Sequence, residues 1–164
     1  MNNNTKPVIS IEDSESEDAL ILIKKLSKEL TIRYEDDDEG TGAFTPADVK
    51  VDRAAFVIAR VDGNAVGCGA LRPCDVNEYG NTCEVKRMFV DTHMRGRGIS
   101  KLILAKLEEI AKEFSYDRVI LETGKLQPEA IGLYEKSGYK RIPNYGKYVD
   151  RQLSVCYEKV LNSL

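Results

Sequence analysis

The stretch from Cys83 to Glu122 constrains the fold more than any other part of the chain. It opens with a mostly apolar run to Val90, turns at Arg95-Gly96-Arg97-Gly98, and carries apolar residues at 99, 102, 103, 107, 110, 111 and 114. Those spacings trace one face of an α-helix, with Lys101, Glu108, Lys112 and Glu113 on the other face. Arg118 to Glu122 then reads as a buried strand. A strand, helix and strand joined in this order close by a right-handed crossover, so the two strands are expected to be parallel. A chain organised around such a unit belongs to the α/β class.

The flanking segments extend the same architecture. Pro7 to Ile11 reads as a short strand, and Ser14-x-x-Glu17 as a capping box opening a helix whose inner face carries Ala19, Leu22, Ile23, Leu26 and Leu30. Ala54 to Arg60 and Ala65 to Leu71 flank the turn Asp62-Gly63-Asn64 and predict an antiparallel hairpin. Pro128 suits the first turn of a helix facing inward through Ala130, Leu133 and Tyr134 and ended by Ser137-Gly138. Tyr139 to Ile142 and Leu153 to Lys159 read as closing strands. The expectation is an α/β (α+β) fold, a mixed twisted sheet of six to seven strands with helices on both faces. Without a linker or an internal repeat, residues 1–164 are expected to form one domain, 1–6 being a frayed tail. Arg33 to Val51 reads as a long loop with one helical turn. Glu84, Lys86 and Arg87 interrupt the apolar strand that ends at Val90, which predicts a bulge or an open edge there.

Composition excludes several function classes. With 24 Lys+Arg against 27 Asp+Glu and a formal net charge of −3, the chain lacks the basic excess of a nucleic-acid binder. Its longest apolar run, Ala54 to Ala59, falls far short of the ~18 to 20 residues of a membrane helix. Met1-Asn2-Asn3-Asn4 does not open a signal peptide, so a cytoplasmic protein with no membrane partner is expected. The cysteines, Cys68, Cys74, Cys83 and Cys156, form no C-x-x-C pair, and with His93 as the sole histidine no metal site is expected. The thiols read as reduced and structural.

The glycine-rich turn carries the chemistry. Gly96 and Gly98 let the backbone curl at a helix N-terminus, where unpaired N–H groups and the helix dipole favour a phosphate or pyrophosphate, with Arg95 and Arg97 adding charge. A dinucleotide fingerprint from Gly96 would require glycine where Lys101 stands. A Walker A motif ending at Gly124-Lys125 would require glycine at Val119 and a hydroxyl residue at Leu126. Both fail.

The run from Glu84-Val85-Lys86-Arg87-Met88-Phe89-Val90 through Arg95 to Ser100, followed by Gln127 to Gly138, resembles the GNAT superfamily of N-acetyltransferases. Arg95, Gly98 and Ser100 match its Q/R-x-x-G-x-G/A pyrophosphate motif, with serine in the last place. Gln127 to Tyr134 matches N-x-x-A-x-x-x-Y, with glutamine in the first place. The resemblance implies that the backbone of Met88, Phe89 and Val90 binds the pantetheine of acetyl-CoA like an added strand. It further implies that Arg95, Gly96, Arg97, Gly98, Ile99 and Ser100 hold the pyrophosphate, that Gln127 touches CoA, and that Tyr134 protonates the departing thiolate. The reaction also needs a neutral amine, and Glu84 is the candidate proton acceptor, with Glu122 its rival at the end of the parallel strand. His93 is expected at the surface.

The expected activity is transfer of an acetyl group from acetyl-CoA to a primary amine by direct attack in a ternary complex. The alternative is a non-catalytic acyl-CoA-binding or sensing module, and a nucleic-acid module built on Lys86, Arg87, Arg95, Arg97 and Lys101 ranks behind both. The expected partner is a small-molecule amine, with no metal, no nucleic acid, and a monomer or homodimer as the working form. Tyr145, Tyr148 and Tyr157 are candidates to line the acceptor side. The carboxylate run Glu35 to Glu39 is expected to draw in a cationic acceptor.

Overall fold

The computed structural model describes residues 5–34 and 44–161. In chain order the elements are β1 (Val8–Ile11), α1 (Glu17–Tyr34), β2 (Ala55–Val61), β3 (Asn64–Pro73), β4 (Thr82–Val90), α2 (Ile99–Glu113), β5 (Arg118–Gly124), α3 (Pro128–Lys136), β6 (Lys140–Ile142) and β7 (Ser154–Val160). The strands form one seven-stranded sheet in the order β1-β2-β3-β4-β5-β7-β6. Among the described strands only β4 and β5 pair in parallel, Thr82 to Val85 against Arg118 to Leu121, as the crossover through α2 requires. The acidic run from Glu35 to Glu39 lies outside the described residues. After it, one 3-10 turn, Pro46–Val49, leads into β2.

The two faces of the sheet are covered by different helices. On one, Ala19, Leu22 and Leu26 of α1 pack with Phe56, Ile58, Cys68, Ala70 and Phe89. On the other, Ile99, Ile103, Leu104, Leu107 and Ile110 of α2 pack with Val57, Leu71, Val85 and Leu121, joined by Tyr134 of α3. The buried stripe of α2 is turned relative to the one its apolar spacing predicts. Leu102 is 38% exposed and Leu104 is buried. The reason is that 99, 103, 107 and 110 centre the contact, leaving 102 and 104 on opposite flanks of the stripe, and the sheet lies on the side of 104. The start of α1 differs too. Ser16, not Ser14, caps it by accepting the amide of Ala19 at 3.2 Å, while buried Ser14 donates its hydroxyl to the carbonyl of Pro46 at 2.7 Å.

The interruption in β4 is a bulge. Along β3, Cys68 faces Phe89 and Ala70 faces Lys86, so the single residue Gly69 stands opposite both Arg87 and Met88. Arg87 takes up the extra length in the left-handed region, at φ +56°. Its backbone carbonyl accepts the thiol of Cys68 at 3.3 Å.

Candidate active site

Ladder pairing between β4 and β5 stops at Val85 and Leu121, yet both strands continue, β4 along β3 to Val90 and β5 along β7 to Gly124. The parallel pair therefore opens like a V, leaving one backbone edge of Lys86 to Val90 without a partner strand from β5. A cleft of about 640 Å³ fills the opening. Its walls include Lys86 to Val90 of β4, Glu122 to Gly124 of β5, Gly98 to Ser100 at the start of α2, Tyr134 of α3, and Leu26 to Tyr34 along one side of α1.

Where β4 ends, a short turn, Thr92–Met94, feeds the glycine loop. Gly96 and Gly98 have φ of +80° and +76°, and Gly98 is the residue from which α2 starts. A Cβ at either glycine would meet no atom within 4 Å, so it is backbone conformation, not crowding within the protein, that requires glycine. The turn leaves the first amides of α2 open at the positive end of its dipole. This suits a pyrophosphate, and the unpaired edge of Met88 to Val90 suits an extended amide-bearing arm beside it.

The predicted cofactor contacts do not all face that cleft. Gly96, Gly98, Ile99 and Ser100 line it, but Arg97 is exposed and shares a shallow depression with Thr5, Lys6 and Pro7 instead. Arg95 lines the cleft with its guanidinium already engaged. It donates to both oxygens of Glu29 at 2.9 and 2.8 Å and to the carbonyl of Val90 at 2.8 Å. With Lys25 on Asp91 at 3.1 Å, this gives α1 two ionic ties to the loop, one helical turn apart. Gln127 lines the cleft while its Oε1 accepts the hydroxyl of Tyr34 at 3.1 Å and the amide of Gly124 at 3.2 Å. His93 is exposed.

At the other end of the cleft lies a buried polar cluster. Glu84, 4% exposed, accepts the Tyr145 hydroxyl on Oε2 at 2.6 Å and the Arg72 guanidinium on Oε1 at 3.2 Å. The ammonium of Lys86 sits 3.8 Å from the same Oε1 and donates to the Tyr148 hydroxyl at 2.7 Å. Arg72 in turn reaches Asp48 at 3.6 Å. A carboxylate offers about four lone-pair sites, so these contacts leave Glu84 room for one more donor. Burial pulls the Lys86 ammonium down to about 8, against the opposing pull of Glu84. Burial, with Glu84 beside them, holds the Tyr145 and Tyr148 phenols protonated well above their usual range.

Tyr134, 5% exposed, faces the cleft from α3. Among the described residues only the Tyr139 hydroxyl is sealed from water without a partner, so the Tyr134 hydroxyl, which makes no hydrogen bond to a described residue, keeps access to the cleft. Burial, reinforced by the charge of Glu122, raises its pKa and keeps the proton on the phenol. Tyr157 is on the wrong face for the acceptor side. It packs with α2 and α3 and donates to Glu135 at 3.0 Å, because it shares its register side with Leu121 rather than Ile120. The cysteine thiols are all free and none lines the cleft among the described residues. Burial pushes Cys68 and Cys83 up to about 12 and Cys156 to about 11, which makes them poor nucleophiles.

As site residues, Lys86 and Arg87 have a place only in the lower-ranked nucleic-acid reading of the sequence, and Arg72 has none, so none of the three was assigned to the acetyl-transfer site. Their signal was visible as cations set beside apolar strand residues, but only the fold shows that Lys86 and Arg87 line the cleft while Arg72 holds Glu84 at its edge. Among the described residues no group of three His, Cys, Asp or Glu could hold a metal ion, and no helix is long and apolar enough to cross a membrane.

Comparison with known proteins agrees with this geometry. A family model described as Acetyltransferase (GNAT) family matches residues 20–139. The chain is 39% identical over 106 residues to the IAA acetyltransferase of Azospirillum brasilense, a stretch covering 65% of this chain and 67% of that one. It is 37% identical over 101 residues to the N-acetylaspartate synthetase of Homo sapiens, covering 62% of this chain but only 32% of the human protein. The crystal structure of a GNAT family acetyltransferase from Elizabethkingia anophelis with acetyl-CoA bound superimposes with a TM-score of 0.67 at 18% identity, over 94% of this chain and 98% of that one. A parallel pair splayed above a glycine turn at a helix N-terminus, in a chain whose family model spans α1 to the end of α3, leaves one assignment: this chain belongs to the GNAT family of acetyltransferases.

Proposed function

We propose that the chain transfers an acetyl group from acetyl-CoA to a primary amine of a small molecule, by direct attack of the amine in a ternary complex. The observation that carries this reading is the shared cleft. The open edge of β4, the glycine turn, the Tyr134 hydroxyl and the Glu84 carboxylate all border one continuous space. In it, the backbone of Met88, Phe89 and Val90 pairs with the pantetheine arm, while the amides after Gly98 meet the pyrophosphate. When bound, acetyl-CoA supplies the thioester carbonyl as electrophile.

The amine nitrogen forms a bond to the carbonyl carbon as the carbon–sulfur bond breaks. Its surplus proton passes to Glu84, directly or through water, and Tyr134 donates its own proton to the leaving sulfur. Glu122 is the rival acceptor on the facing strand. Direct attack is supported by the buried, raised thiols, none of which offers a covalent way station. The name of the human relative carries an amino acid as the acetylated group, which supports a small acceptor rather than a protein side chain. The same geometry without transfer would describe an acyl-CoA sensor. Purified protein incubated with acetyl-CoA and a panel of amines, followed by mass spectrometry, separates them. Acetylated amine with stoichiometric CoA release is the expected result. Tight CoA binding with no transfer to any amine would leave the sensor.

A further inference from the structure

The side chain left over from the proposed chemistry is Arg87. Arg33 and Arg95 of the cleft both pair with Glu29, and Lys86 has Tyr148 and Glu84. Arg151 lies over the ring of Tyr148, 5.9 Å from its centroid. The Arg87 guanidinium has no ion pair and no hydrogen bond among the described residues, and its nearest ring is Phe44, 5.4 Å away. It is half-buried in the cleft wall, and that burial disfavours its charge. A half-buried cation with no counter-ion beside it is suited to pair with an anionic group that enters the cleft.

Local geometry explains why the charge is there. In a regular strand Lys86 and Arg87 would point to opposite faces. The bulge breaks that alternation, and the left-handed backbone of Arg87 turns its side chain to the α1 face, which also holds Phe44 and Phe89. Non-glycine residues in that conformation are strained, and strain of this kind persists where the surrounding structure holds it and function uses it. Arg87 also stands three residues, roughly 10 Å of extended chain, before the end of β4, with the Thr92–Met94 turn still between it and the glycine turn, so it marks a separate anion position in the same cleft.

We propose that Arg87 is the specificity-determining residue of the acceptor site, binding a carboxylate carried by the amine, so that the acceptor class is an α-amino acid or a close analogue. This rests on the acetyltransferase reading above. A guanidinium matches a carboxylate by two parallel N–H···O bonds, which would fix the direction from which the amine approaches. Bound in this way, the acceptor is neutral or anionic overall rather than cationic.

The test uses the intact chain, acetyl-CoA, and the common L-α-amino acids, each set against its own carboxamide. For the best-accepted member, wild type is expected to favour the carboxylate over the amide by tenfold or more in kcat/KM. Arg87→Gln should erase that preference through KM of the amino acid while leaving KM for acetyl-CoA unchanged, and Arg87→Lys should restore part of it. Equal use of acid and amide by wild type, a better substrate that bears phosphate or no anion, or a preference surviving in Arg87→Gln would each overturn the assignment. So would a rise in KM for acetyl-CoA in Arg87→Gln, since the residue would then serve the cofactor. Failure to acetylate any amine, with acetyl-CoA still bound, would instead remove the acetyltransferase reading and this inference with it.

Discussion

Two side chains in the cleft have proton affinities that burial moves in opposite senses. For Tyr134, burial keeps the phenol protonated, so the residue carries a proton toward the cleft and cannot serve as the base. Tyr134→Phe keeps the ring packed against Tyr139 and Tyr157 and removes only the hydroxyl. Turnover is expected to fall by ~10² or more, the usual worth of a general acid, with the dissociation constant for CoA unchanged by calorimetry. For Lys86, burial favours the neutral amine, from 10.5 down to about 8. Between those values the unfolded chain binds a proton that the folded chain does not, so this group makes stability rise with pH across that window. Below it, holding the ammonium costs the folded state on the order of 3 kcal/mol. Cysteines titrating in the same range act in the other direction, so the variant must be compared with wild type. Urea unfolding at pH 7 and pH 10 should show Lys86→Met relatively more stable at the lower pH, with the advantage shrinking at the higher. A constant difference at both would mean that folding does not lower the Lys86 pKa.

The helices contribute through the particular residues they bury. Leu107 is fully buried between α2 and the sheet, whereas Leu102, five residues earlier, is 38% exposed, though apolar spacing places both on the inner face. Leu107→Ala is expected to cost ~2 to 5 kcal/mol and Leu102→Ala well under ~1 kcal/mol by denaturant titration. Similar losses would mean that the stripe lies where periodicity alone puts it. Close packing also joins α1 to the end of β5. A Cβ on Gly124 would overlap the hydroxyl end of Tyr34, so any larger residue there would have to push the Tyr34 side chain off that end of the cleft. Together with the Glu29–Arg95 and Lys25–Asp91 pairs, this holds one helix against both sides of the opening.

The molecule as a whole is a ligand-linked equilibrium. Acetyl-CoA at ~100 times its dissociation constant should add about 2.7 kcal/mol to the folded state. For a chain of this size that raises Tm by roughly 5 to 11 °C, while NAD or ATP at the same concentration should do much less. Gly98→Val forces a branched residue to φ +76°, so its expected effect is loss of that shift at little cost to the core, because a Cβ there meets no neighbour. A full shift in the variant would place the pyrophosphate elsewhere.

Local pattern alone determined the parallel β4–α2–β5 unit, the hairpin of β2 and β3, the bulge and the glycine turn, because each depends on residues near in sequence whose periodicity or φ preference is written in their side chains. The same pattern misplaced the α1 cap and turned the α2 stripe, since both depend on what packs alongside. Tertiary structure decided which charges meet. Glu84 finds Arg72 across the β3–β4 ladder and Tyr145 from the segment before β7. Arg95 finds Glu29 on a helix far upstream, so a residue legible as an anion binder is seen already holding a carboxylate. Among the described residues Arg87 is left without an anion, because the bulge turns it toward the α1 face and no described acidic side chain comes within pairing distance. Charge pairing is set by distance and desolvation after the sheet has closed, and neither quantity is encoded in the spacing of residues along the chain.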